Sequence, residues 1–60
     1  MIDIAICNDD RDLVDDIEIR IRSLAKKFLV DINIDVFYDG KELIEDIFGG
    51  NRYDVIYLDI

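Results

Sequence analysis

Two acidic tips stand at matching places in this chain. Asn8-Asp9-Asp10 follows the apolar run from Ile2 to Cys7, and Asp59 follows Val55-Ile56-Tyr57-Leu58. If the two runs are neighbouring parallel strands, Asp9 and Asp59 leave one sheet at the same edge. Adjacent strands lie about 4.8 Å apart, so the two carboxylates can share one hard cation. A carboxylate beside a bound dication is the beginning of a metal-assisted phosphoryl site. The other groups such a site needs are not among these 60 residues.

Other chemistries are disfavoured by what the chain contains. It has no histidine, which excludes Ser-His-Asp and Cys-His nucleophilic sites within these residues. One cysteine forms no internal disulfide and no CxxC zinc pair; Cys7, inside an apolar run, reads as a small buried hydrophobe. The first apolar run leads into Asn8-Asp9-Asp10-Arg11, with no glycines to admit a dinucleotide pyrophosphate. A phosphatase with an aspartate nucleophile usually has a second aspartate two residues further on, and no such position follows Asp59.

Fifteen acids against seven bases give a formal net charge of −8. That disfavours nucleic acid and anionic membranes, which need neutralising cations. It favours divalent cations or a basic partner. Most of the acids read as solvating residues on helix faces and turns. With neither a signal peptide nor a long apolar run, the expected place is the cytoplasm, without a membrane partner. Hydrophobic residues make up 52%, so the chain has a core to bury and is not a disordered tail.

The elements that must position the acids follow from periodicity. Met1 to Cys7 reads as a strand buried on both faces. Asp9 or Asp10 can then cap a helix from Arg11 to Leu29, whose inner side is Leu13, Val14, Ile17, Ile21, Leu24, Ala25 and Phe28. Asp31 to Tyr38 alternates Ile32, Ile34 and Val36 with Asn33 and Asp35, as an edge strand with one wet face does. Asp39 to Glu42 has the form of a capping box for a short helix, Lys41 to Phe48, closed by Gly49-Gly50. Asp54 to Asp59 is the third strand. Tyr53 and Tyr57 read as packing residues. Strands alternating with helices predict a parallel sheet with right-handed crossovers, in the order 2-1-3. Ligands of such sheets bind outside the carboxyl ends of the strands, where the order reverses. Both acidic tips fall there.

Three segments carry a family resemblance: Ile4-Ala5-Ile6-Cys7 with Asn8-Asp9-Asp10, Phe37-Tyr38-Asp39-Gly40-Lys41-Glu42-Leu43, and Tyr53-Asp54-Val55-Ile56-Tyr57-Leu58-Asp59-Ile60. Over all 60 residues the chain resembles the N-terminal half of a response-regulator receiver domain, especially the LytTR-type regulators of two-component systems. The resemblance implies the β-α-β-α-β half of a flavodoxin-like, doubly wound α/β sheet, truncated after its third strand. It implies that Asp59 is the phospho-acceptor, that Asp9 and Asp59 bind Mg²⁺, and that the phosphoryl donor is a sensor histidine kinase. Such a domain is a phospho-accepting signalling module and not an enzyme in the ordinary sense. It would meet DNA, and regulate transcription, only through a C-terminal output domain, of which no residue is here.

The family places an acidic pair after the first strand, and this chain has Asn8 where the first acid would stand. An amide carbonyl can hold a metal-bound water but supplies no charge, so weaker magnesium binding is expected. The lysine after a fifth strand and the Ser/Thr after a fourth, which the family uses on the phosphoryl group, are not among these residues. Lys41 and Arg52 stand at the wrong places for either role. The third strand is apolar on both faces, and a bare apolar edge invites pairing with another chain. A homodimer or a non-catalytic association module that completes its sheet through that edge is therefore the alternative expectation. Beryllofluoride with Mg²⁺ separates the two. The 60 residues alone are expected not to bind it, and a chain of about 120 residues, an ordinary domain size, is expected to do so.

Overall fold

The computed structural model describes residues 1–59; Ile60, which closes the third of the motif segments, lies outside the described residues. Five elements follow one another: β1 (Ile2–Cys7), α1 (Arg11–Lys27), β2 (Ile32–Phe37), α2 (Gly40–Phe48) and β3 (Val55–Leu58). The strands form one parallel sheet in the order β2-β1-β3, as the alternation of elements predicts.

β1 is the central strand, and its period of two sorts the core into two layers. Ile4 and Ile6 pack with Val14 of α1 and Ile34 of β2 on one face. Ala5 and Cys7 pack with Leu43 of α2 on the other. The helices therefore cover opposite faces, which is what right-handed crossovers in a 2-1-3 order require. Ala5, Ile6 and Val14 are fully buried. On β2, Asn33 is exposed and Ile34 buried as the alternation predicts, but Asp35, expected on the wet face, is half-buried like Ile32 and Val36.

Several boundaries differ from the sequence expectation. α1 stops at Lys27, not Leu29. Leu29 takes the left-handed conformation at φ 55°, and its N–H donates to the Lys26 carbonyl while that of Val30 donates to Ala25. This is the Schellman closure of a helix, here built on a leucine where glycine is usual. Leu24 and Phe28, expected on the inner side, are 56% and 66% exposed. The 17-residue helix runs about 25 Å against roughly 20 Å for a six-residue strand, so its last turn projects past the sheet. α2 begins at Gly40 rather than Lys41 and ends on Gly49 in right-handed geometry, with Gly50 at φ 111° taking the left-handed turn. β3 is shorter than expected and is 43–55% exposed at every residue, pairing only with β1 among the described residues. No described helix is long and apolar enough to cross a membrane.

Candidate functional site

Backbone bonding brings the acidic tips together. Cys7 sits level with Leu58 on one side and Phe37 on the other. One residue further on, the Asp59 N–H donates to the Cys7 carbonyl at 3.1 Å, and the Asn8 N–H donates to the Phe37 carbonyl at 3.1 Å. Residues 8 and 59 are thus held by the ladder itself, independently of their side chains. Three strand ends open together into a cleft of about 170 Å³. Asn8 and Asp9 line it from β1, Asp59 from β3, and Tyr38, Asp39 and Gly40 from the turn between β2 and α2, with Cys7 beneath.

The acidic run after β1 divides its work residue by residue. Asn8 is buried at 6% exposure, and its Oδ1 accepts the Asp10 N–H at 2.8 Å. Asp10 turns away from the cleft and caps α1, its carboxylate accepting the Leu13 N–H at 3.2 Å. Asp9, between them, is exposed and faces the cleft. Asp39 caps α2 by accepting the Glu42 N–H at 2.8 Å; the capping box is half formed, since no return bond from Glu42 occurs among the described residues. The capped N-termini of both helices lie at this edge, so their partial positive charge offsets part of the acids' mutual repulsion.

The field of the cleft registers on Cys7. Burial pushes its thiol above the ordinary range, and the nearby charges of Asp39 and Glu42 push it further. It is an inert core thiol with a negative ceiling. Lys41 and Arg52 do not line the cleft.

The donors lining the cleft are hard oxygens: the carboxylates of Asp9 and Asp59, that of Asp39, which also serves as a helix cap, and the Asn8 amide carbonyl, which already accepts the Asp10 N–H. Such a set suits Mg²⁺ with water completing its shell, and the cleft has room for those waters. Among the described residues no group of three or more His, Cys, Asp or Glu side chains is arranged to hold a metal. A cation here would rest on Asp9, Asp59, Asn8 and water, a thin charge complement.

In sequence Asp39 and Gly40 read only as turn and cap and Tyr38 only as the end of a strand, yet all three line the cleft. The signal was that β2 is parallel to β1 and must end at the same edge. Tyr53 also does more than pack. Its ring meets Phe37 edge-on at 6.3 Å, and its hydroxyl bridges Asp46 of α2 and Asp35 of β2, the latter at 3.0 Å. Burial first, and those two carboxylates after it, hold its phenol far above the usual tyrosine range.

No family model, curated protein or solved structure matches the chain. What the geometry establishes is the class: a three-stranded parallel α/β unit with a cleft at the carboxyl edge of its sheet, acidic on three sides.

Proposed function

We propose that these residues form the acidic half of a receiver site, with Asp59 the acceptor of a phosphoryl group from a sensor histidine kinase. Asp9 and Asp59 are the magnesium ligands, and Asn8 holds a metal-bound water. The observation that supports this reading is that Asn8, Asp9 and Asp59, from two adjacent parallel strands, line one cleft. Transfer would make an acyl phosphate. A carboxylate oxygen of Asp59 bonds to phosphorus while the P–N bond of the donor phosphohistidine breaks. The bonding pair stays on the imidazole nitrogen, which then takes a proton from solvent. Mg²⁺, when bound, neutralises charge between the attacking carboxylate and the phosphoryl oxygens. The chain's own contribution is placement: the Asp59 N–H bond to Cys7 fixes the acceptor, and the Asn8 bond to Asp10 keeps the amide turned inward.

The test is a magnesium titration of the wild type, Asp9→Asn and Asp59→Asn, followed through the amide resonances of residues 8 and 59. Each substitution should weaken binding at least about tenfold, the scale of one lost charge-assisted contact. Binding indifferent to both substitutions would refute the assignment. The phosphoryl step is tested with beryllofluoride in a chain of about 120 residues carrying this segment.

One observation favours a second reading, an association module without phosphoryl chemistry. β3 is apolar, half-exposed on both faces and unpaired along its outer edge among the described residues. In that case sedimentation would show self-association through β3, and neither magnesium nor beryllofluoride would bind.

A further inference from the structure

A phosphoryl donor is an anion, and this cleft repels anions. Asp9, Asp39 and Asp59 line it, and no lysine or arginine does so among the described residues. One cation touches a residue of its wall. Arg11, the first residue of α1, lays its guanidinium 3.9 Å from the centre of the Tyr38 ring, and Tyr38 is itself part of the cleft wall.

Two features separate this arginine from an ordinary surface charge. It is flanked in sequence by Asp9, Asp10 and Asp12, yet it forms no ion pair with them; the described salt bridges are Arg20 with Asp16 and Arg22 with Glu18. Nor does any described side-chain hydrogen bond use its donors. A guanidinium carried on an aromatic face keeps its charge and its in-plane N–H fork free, and that fork matches the oxygens of a phosphoryl group. The ring also limits where the guanidinium can go, so little freedom remains to be lost when an anion arrives. Tyr38 is in turn held by packing on the Ile4, Ile6, Val14 and Ile34 layer.

We propose that Arg11, carried on Tyr38, is the residue that binds the oxygens of an incoming phosphoryl group at the mouth of the Asp9–Asp59 cleft. The inference rests on the phosphoryl-accepting reading of that cleft and adds a recognition residue to it. Arg11 and Asp59 have opposite electrostatic effects: Asp59 draws in the metal, whereas Arg11 opposes the metal slightly and favours the anion.

The experiment uses a chain of about 120 residues carrying this segment, saturated with MgCl₂, with inorganic phosphate as the probe and the Arg11 Nε–H resonance as reporter in the wild type. Affinities for phosphate are then compared in the wild type, Arg11→Ala, Arg11→Lys and Tyr38→Leu, with circular dichroism confirming an unchanged fold. Phosphate should shift the Arg11 resonance. Its affinity should fall about tenfold in Arg11→Ala, the scale of one charge-assisted hydrogen bond, and less in Arg11→Lys, which keeps charge but loses the fork. Tyr38→Leu, which removes the platform, should weaken phosphate although the arginine remains. Arg11→Ala should bind magnesium alone no more weakly than the wild type, which a general loss of structure would not produce. Equal phosphate affinity in the wild type and Arg11→Ala, or no phosphate binding to the magnesium-loaded wild type, overturns the inference and leaves the metal site standing. Failure of magnesium alone to bind at Asp9 and Asp59 overturns the receiver reading and this inference with it.

Discussion

Replacing Asn8 by aspartate isolates the charge that the acidic cleft lacks. Asn8 is 6% exposed, and its Oδ1 already accepts the Asp10 N–H at 2.8 Å, a bond that an aspartate oxygen can keep. The substitution therefore changes charge with little change of shape. Two unit charges 4 Å apart interact by about 1 kcal/mol in water and about 4 kcal/mol at an effective dielectric of 20. The cleft is open and residue 8 acts through a water, so the lower value applies. Doubling it for a dication gives about 2 kcal/mol, or roughly thirtyfold tighter magnesium binding. Without metal the sign reverses. The new carboxylate is buried beside Asp9, Asp39 and Asp59, which should lower stability by about 1 kcal/mol or more. Calorimetric titration measures the first effect, and urea denaturation with and without MgCl₂ measures the second. Asn8→Asp should thus be less stable than wild type in chelator and regain stability as magnesium is added. Magnesium affinity within about twofold of wild type would refute the placement of residue 8 in the cation's shell, since no screening consistent with this geometry removes so much of the effect.

Leu29→Gly should stabilise the fold. Leucine at φ 55° costs about 1–2 kcal/mol, glycine's greater unfolded freedom returns part of that, and Leu29 is 92% exposed, so a net gain of about 0.5–1 kcal/mol in urea unfolding is expected; a loss would contradict the left-handed closure of α1. Tyr53 should resist alkaline titration. Its folded phenol is held above the ordinary value of about 10, so its stabilising contribution is complete below that pH and is lost as pH rises through the higher folded value. Near-ultraviolet absorbance should show a late-ionising tyrosine that Tyr53→Phe abolishes, with a stability cost of about 1–2 kcal/mol for the lost bonds to Asp46 and Asp35. A titration unchanged by Tyr53→Phe would refute the bridge.

The architecture was legible in the chain because its signals are local. An isoleucine-rich run, a three-and-four repeat, an alternating strand and two acidic caps each report on their own neighbours, and the handedness of crossovers leaves few ways to join them. Asp9 and Asp59 could be matched from sequence since each stands within two residues of the end of an apolar run, and parallel pairing sends both to one edge. The cap of α1 could be narrowed to Asp9 or Asp10 for the same reason, because capping depends on residues within three of it, and the structure selects Asp10.

Tertiary placement decided the rest. The period of α1 cannot say where the sheet beneath it ends, so Leu24 and Phe28 look buried in sequence and stand exposed in space. Nothing local relates Tyr53 to Asp35, or Arg11 to Tyr38, since those pairs are far apart in sequence and meet only once the strands and helices have packed. The acidic run after β1 names three residues of similar kind. The Asn8 N–H bond to the Phe37 carbonyl fixes where that run leaves the sheet and the Asp59 N–H bond to the Cys7 carbonyl brings Asp59 beside it, and those bonds exist only once the strands are in register.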